Sequence, residues 1–250
     1  MTALVITGTS TDVGKTIVTA ALAAALTARR ARVAVCKPVQ TGVLAGEPGD
    51  LAIVEQLAGP VTTAECIRYR DPLAPETAAR TEGRDGVALS TIVDTVESLR
   101  AGHEVTLIEG AGGIMVRLAP RLTLLDVAVA TGAQALVVTT AGLGSLNHCE
   151  LTVDALRARG ISPAGLVIGS WPTEPDLAAR HNRTDLPRLS GVPLVGMVPQ
   201  GAGRLDTHSF RTAAEGWFDA AWLAALRPAT SATAHQAPTA HQAPTAHQAH

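Results

Sequence analysis

Aromatic residues are nearly missing from this 250-residue chain: three Trp, two Phe and one Tyr, 2% of the total. With 46% apolar residues, its core must be built mainly from Ala, Val, Leu and Ile. Cysteine is scarce and odd in number, Cys36, Cys66 and Cys149, which excludes a disulfide or zinc framework and suits a reducing compartment. Charge of one sign is also lacking. A net charge of −2 offers no basic face to a nucleic acid or an anionic membrane. No run approaches the ~20 apolar residues of a membrane span, and the first residues show neither the basic region nor the cleavage site of a signal peptide. These absences point to a cytoplasmic protein with no nucleic-acid and no membrane partner.

Lysine is the sharpest shortage. Of 20 basic residues only Lys15 and Lys37 are lysines. A compact, mobile ammonium is not interchangeable with a planar guanidinium fork. A lysine kept against a general drift to arginine therefore points to a site where the fork cannot serve.

What is present begins with residues 4–16, Leu-Val-Ile-Thr-Gly-Thr-Ser-Thr-Asp-Val-Gly-Lys-Thr. The run Leu4–Ile6 reads as a buried strand, Gly8–Gly14 as a loop of small and hydroxyl residues, and Ile17–Ala28 as a helix. Strand, loop, Gly-Lys-Thr and helix is the context of a phosphate-binding loop, whose backbone N–H groups and helix N-terminus face an anion. Lys15 would reach the β- and γ-phosphates, and the Thr16 hydroxyl would hold Mg2+. Five residues separate Gly8 from Gly14, and Thr9 stands where the common pattern has its first glycine.

The chain then alternates. Arg32–Cys36 reads as a strand ending in a loop, Lys37–Gly42, and Leu51–Ala58 as a helix with Leu51, Val54 and Leu57 on one face. Prolines and glycines break up residues 60–88, where only Ile67–Tyr69 looks extended. Ser90–Arg100 is an amphipathic helix stopped by Gly102. The strand Val105–Ile108 ends on Glu109-Gly110-Ala111-Gly112-Gly113, an acidic residue placed as Mg2+-directed carboxylates are in nucleotide-binding α/β proteins. Thr123–Asp126 fits a capping box and Asn147–Glu150 a second one, opening a helix to Arg159. Ala135–Thr139, Leu166–Ile168 and Pro193–Val198 read as strands. Gly169–Pro172 and Pro199–Gly203 read as the loops after the last two. Thr173–Asp176 caps a helix with Pro175 in its first turn, and Ser209–Leu226 closes the fold as one helix. The expected architecture is α/β: a mostly parallel sheet with helices on both faces, its strand-end loops converging on one site. Residues 1–227 form one domain. From 228 to 250 the chain repeats Thr-Ala-His-Gln-Ala-Pro, has no apolar period, and is expected to be disordered.

Together, Gly-Thr-Ser-Thr-Asp-Val-Gly-Lys-Thr, Cys-Lys-Pro-Val-Gln-Thr-Gly, Glu-Gly-Ala-Gly-Gly and Leu-Gly-Ser-Leu-Asn-His resemble the dethiobiotin synthetases of biotin biosynthesis, along essentially all of residues 1–227. The resemblance implies a P-loop NTPase-like fold and an ATP-dependent joining of CO2 to 7,8-diaminononanoate through a carbamate and a carbamic-phosphoric anhydride. It implies Lys15, Lys37 and Thr11 as catalytic groups, and Mg2+ held by Thr16, Asp50 and Glu109. Nucleotide would lie on Asp12, Val13, Gly14, Lys15, Thr16 and Ile17, on Glu109, Gly110, Ala111 and Gly112, and on Gly169, Ser170, Pro199, Gln200 and Gly201. Substrate would meet Thr11, Lys37 and Thr41. In a homodimer, Leu143, Gly144, Leu146 and Asn147 of the partner copy would hold its carboxylate. Familiar members have a glutamate at Asp12 and often an asparagine that reads the adenine ring at Gly169. Glycine has no side chain to read a base, so other nucleoside triphosphates are expected to serve beside ATP.

The rival reading is a regulatory ATPase of the partitioning kind, which shares the architecture. Those switches resemble a loop with a further lysine at the position held here by Ser10, and they need no Lys37 segment. A ligase domain of the cobalamin pathway would bring a glutamine-hydrolysing domain for which the chain is too short.

Overall fold

The computed structural model describes residues 1–226. The repeat tail and the expected boundary at residue 227 lie outside the described residues. Strand β1 (Thr2–Gly8) leads through the phosphate-binding loop to helix α1 (Lys15–Ala28). There follow β2 (Val33–Gln40), α2 (Asp50–Ala58), β3 (Thr62–Arg68), α3 (Pro75–Thr81), α4 (Leu89–Gly102) and β4 (Val105–Gly113). A two-stranded ribbon, β5 (Arg117–Ala119) and β6 (Leu122–Thr123), precedes α5 (Leu124–Thr131). The second half is β7 (Gln134–Thr139), α6 (Ser145–Ala158), β8 (Pro163–Trp171), α7 (Leu177–Ser190), β9 (Leu194–Pro199), α8 (Thr207–Ala214) and α9 (Ala220–Ala225). The seven long strands are parallel, in the order β3-β2-β4-β1-β7-β8-β9. The expected α/β class is correct.

Alternation along each strand divides the core in two. Ala3 and Val5 of β1 face one layer, which α4, α5, α6 and α7 complete. Leu4 and Ile6 face the other, completed by α1, α2, α8 and α9. Helix α1 is buried nearly all round, and the small side chains of Ala20, Ala21, Ala23, Ala24 and Ala25 let it pack closely against the sheet and α2. Four of the six aromatics, Phe210, Trp217, Phe218 and Trp222, gather in that layer, with Phe210 edge-on to Trp217 at 5.1 Å, while Tyr69 and Trp171 belong to the other. Among the described residues no helix is long and apolar enough to cross a membrane.

Several expected boundaries are corrected. Lys37–Gln40 is strand, not loop: β2 keeps pairing with β3 through Val39↔Ile67 and Gln40↔Arg68, passing over Pro38, which has no N–H to give. In the same way Glu109–Gly113 and Gly169–Trp171 continue β4 and β8. Strand continuation here is set by the neighbouring strand and not by apolar period. Residues 60–88 hold β3 and α3. Asp176 itself caps α7, accepting from Ala179 N at 2.7 Å, so Pro175 lies before the helix. The closing helix is broken: Phe218 is extended and bridges to Gly196, and Asp219 caps α9 from Trp222 N at 2.7 Å. Helix α6 starts at Ser145 with Gly144 as its cap, so Asn147 lies inside the first turn and caps nothing. The box at Thr123–Asp126 forms as expected.

Candidate active site

In the strand order, the chain turns from β1 toward β4 on one side and β7 on the other, and open parallel sheets bind ligands at the C-terminal ends of such strands. Here the ends of β1, β2 and β4 enclose a cavity of about 460 Å3. Thr11, Asp12, Gly14, Lys15, Thr16 and Ile17 line it from the loop and α1. Lys37, Val39 and Gln40 line it from β2, Thr41 from just past that strand, Asp50 from α2, and Glu109, Gly110, Ala111 and Gly112 from β4.

The loop is shaped for an anion. Asp12 and Gly14 have φ of 58° and 93°, a left-handed geometry that Asp tolerates and Gly adopts freely. Helix α1 has no side-chain cap and no acidic residue in its first turn, so its N-terminal donors and positive dipole end are left for a ligand. Lys15 Nζ is turned back on the loop and donates to Ser10 O at 3.1 Å. Burial and the neighbouring Lys37 ammonium hold its pKa below the ordinary lysine value, against the pull of Glu109, Asp50 and Asp12.

Around Glu109 the groups are coupled. Its Oε1 accepts from Thr16 Oγ1 at 2.9 Å and from Lys37 Nζ at 2.8 Å. Lys37 Nζ also pairs with Asp50 Oδ2 at 2.5 Å. Burial opposes the Lys37 charge, but the Glu109 and Asp50 carboxylates outweigh it and its pKa is raised. Glu109 is 1% exposed, and its Oε2 has no hydrogen-bond partner. A buried carboxylate oxygen without a donor is costly, and a cation would satisfy it. The donor set is all oxygen: Thr16, Asp50 and Glu109. Among the described residues no three His, Cys, Asp or Glu side chains cluster as a metal cage. Two carboxylates and a hydroxyl, completed by phosphate oxygens, suit Mg2+, which keeps few protein ligands. The residues present fit that ion.

The structure therefore brings Thr11, Asp12, Gly14, Lys15, Thr16, Ile17, Lys37, Thr41, Asp50 and Glu109–Gly112 to one cavity. Val13 is buried beneath the loop. Gly169 lies against it: a Cβ there would overlap the Val13 carbonyl oxygen, and one on Gly14 would stand 2.6 Å from Gly169 O. Ser170, Pro199, Gln200 and Gly201 are at the ends of β8 and β9, joined by Gln200 N to Trp171 O at 2.7 Å. Leu143, Gly144, Leu146 and Asn147 do not line the cavity, and Leu143 is 91% exposed. Sequence reasoning gave no role to Val39, Gln40 or Arg68. Gln40 Oε1 accepts the Asp50 N–H at 2.9 Å, a contact that no local pattern announces.

A family model described as an AAA domain matches residues 2–203. An ATP-dependent dethiobiotin synthetase of Rhodococcus jostii is 57% identical over 224 residues, covering 89% of this chain and 97% of that protein. Those of Saccharopolyspora erythraea and Streptomyces coelicolor are each 54% identical, covering 81% and 87% of this chain and 89% and 92% of their own. Among solved structures, the septum site-determining protein MinD of Pyrococcus horikoshii complexed with Mg-ADP superposes with a TM-score of 0.57 at 15% identity, over 90% of this chain and 93% of that one. A ParA family ATPase of Chlorobium tepidum gives 0.53 at 12% identity, over 84% and 90%. At such identities the structural likeness establishes the P-loop NTPase fold alone.

Proposed function

The chain belongs to the dethiobiotin synthetase family, and from that premise we propose that it closes the ureido ring of dethiobiotin from 7,8-diaminononanoate, CO2 and ATP. As a member it is an ATP-dependent ligase of biotin biosynthesis. We take residues 1–227 as one synthetase domain. The observation that carries the finer reading is a second buried lysine, Lys37, in the same cavity as Lys15 and Thr16. A phosphate-binding loop needs only its own lysine. A second ammonium opposite it suits a second anion, which the carbamate supplies.

In this reading one substrate amine adds to CO2 and loses a proton, giving the carbamate. A carbamate oxygen attacks the γ-phosphorus, and the bond to ADP breaks. The second amine nitrogen then attacks the carbonyl carbon, gives up one proton, expels phosphate, and closes the ring. No protein nucleophile is required, so the chain's task is positioning and charge neutralisation. Lys15 faces the transferring phosphoryl group. Lys37 faces carbamate and phosphate from the other side. Thr11 and Thr41 give and accept hydrogen bonds at the substrate nitrogen or carbamate oxygen. When bound at Thr16, Asp50 and Glu109, Mg2+ supplies further charge neutralisation on the phosphates. Measuring ADP release with and without diaminononanoate and bicarbonate tests the reading; ATP hydrolysis indifferent to both would favour the regulatory ATPase instead.

Nucleotide recognition should rest on phosphates and backbone. With Gly169 packed on the Val13 carbonyl, no side chain there can reach a base edge. Triphosphates with other bases should therefore support turnover. A preference for ATP beyond about a hundredfold in kcat/KM, ~2.7 kcal/mol, would count against this.

The homodimer is proposed on the same footing. The N-terminus of α6 carries no side-chain cap and is ready for an anion, yet it does not line its own chain's cavity. A partner copy could present it to the substrate carboxylate. Because Asn147 caps nothing in its own helix, Asn147→Ala should leave stability within ~0.5 kcal/mol while raising KM for diaminononanoate more than for ATP. Equal effects on both constants, or a fully active monomer, would refute the shared site.

A further inference from the structure

We propose that Arg68 is a positioning residue which, with Gln40, braces the 41–49 loop and so holds Asp50 in the site; this rests on the reading of Asp50 as a Mg2+ ligand. Arg68 lies outside the cavity, at the end of the edge strand β3. Its guanidinium is oriented by Glu65 through two bonds, Nε to Oε1 and Nη2 to Oε2, each 2.8 Å. That two-point grip fixes the plane of the fork and turns Nη1 toward the loop. Nη1 donates to Leu44 O at 3.1 Å and to Glu47 O at 2.6 Å.

The loop needs such a brace. Residues 44–48 are all exposed, and Leu44 is 47% exposed, so no apolar packing fixes their course. Gln40, the β2 residue paired with Arg68 across the strands, takes over where the loop ends. It is 4% exposed, donates through Nε2 to Thr41 O at 3.0 Å and accepts the Asp50 N–H at 2.9 Å. Gly49 runs between the two braces: a Cβ on it would stand 2.8 Å from Gln40 Oε1 and 3.1 Å from Arg68 Nη2. The Asp50 backbone is thus pinned by Gln40 and its side chain by Lys37. A carboxylate at the start of α2, reached through an exposed, glycine-containing loop, is pre-organised in this way before any ligand arrives. A site of this kind functions only when its supporting contacts hold it in place.

The test is Mn2+ affinity in the presence of ADP, read by electron paramagnetic resonance, together with amide exchange of residues 44–50. Arg68→Gln should weaken Mn2+ about tenfold, the lower end of what supporting residues of metal ligands give, and should speed exchange at Asp50. Turnover should recover at high Mg2+. Arg68→Lys should not rescue, because one ammonium cannot hold Glu65 at two points and reach two carbonyls. Gly49→Ala keeps every polar group and a backbone that alanine allows, φ −102° and ψ −162°; its methyl should displace the Gln40 amide and reproduce the Arg68→Gln effect. Asp50→Ala should weaken Mn2+ at least as much, and Asp50→Ala with Arg68→Gln no further, since both act through one carboxylate. Wild-type affinity in Arg68→Gln and Gly49→Ala beside a weakened Asp50→Ala would overturn the brace, as would additive losses in the double variant. Unchanged affinity in Asp50→Ala would overturn the proposal through the metal reading instead, and that variant alone separates the two failures.

Discussion

Lys37→Arg should be as stable as the natural protein and still turn over slowly, whereas Lys37→Ala should lose both. In the unliganded protein the Lys37 ammonium stands between Glu109 at 2.8 Å and Asp50 at 2.5 Å. Its removal leaves two carboxylates facing a buried space without a counter-charge. Breaking a buried pair in this way costs roughly 3–5 kcal/mol, and less here because Asp50 is 30% exposed. The thermal midpoint of Lys37→Ala should fall by several degrees. The kinetic loss has a separate cause. In the proposed mechanism carbamate and γ-phosphate repel one another, and a fixed ammonium between them would be worth more in the transition state than before it. Removing such a contact typically costs ~3–4 kcal/mol, about 10²–10³ in kcat. Arginine restores the charge, and its fork can pair with both carboxylates, so stability returns. Its larger plane occupies the space of the carbamate, so kcat should stay depressed by about a hundredfold or more. Near-normal turnover in Lys37→Arg would show that charge alone suffices. A shortage of lysine would then carry no functional information.

That inference from shortage pointed at a residue which the fold places in the cavity, and the reason is general. The strand Leu4–Ile6, the loop and α1 are contiguous, so their geometry follows from local chemistry. The Thr123–Asp126 box is equally local. Lys37 became conspicuous because the rest of the chain uses arginine. The ends of β2, β4 and β8 were not legible, because Lys37–Gln40, Glu109–Gly113 and Gly169–Trp171 are held extended by pairing with strands far away in sequence. The break at Phe218 was hidden for a similar reason. Phe210, Trp217, Phe218 and Trp222 mimic a helical stripe, while Phe218 pairs with Gly196 across the fold. Arg68 falls within Ile67–Tyr69, which reads as extended, but its role depends on carbonyls about twenty residues earlier, which it reaches only because β3 lies beside β2. The fold neighbours sharpen the same point. A MinD and a ParA family ATPase share the fold, so architecture alone would not separate the synthetase from the switch. The sequence relatives do.

Glu109→Gln should weaken the response to Mg2+ without unfolding the protein. Glu109 follows the apolar run of β4, beside Ile6 of β1 in the register. Its Oε1 gathers Thr16 and Lys37, and its buried Oε2 is unpartnered. A protein gains nothing in stability from that oxygen, because a buried acceptor with no donor is a penalty. Glutamine has nearly the same shape. Its carbonyl can still accept from Thr16 and Lys37, and Lys37 keeps its charge partner in Asp50. The thermal midpoint should therefore fall by less than in Lys37→Ala, because Lys37 keeps one carboxylate partner. A neutral amide is, however, a poor ligand for a hard dication. Mn2+ affinity in the presence of ADP should weaken by tenfold or more, and kcat should fall by about 10²–10³, the range lost with a pre-organised group at developing charge. A fold kept and metal binding weakened would mark Glu109 as a group whose cost is accepted for the reaction. Unaltered Mn2+ affinity would show that the carboxylate serves only to hold Lys37 and Thr16, and the cation would have to lie elsewhere.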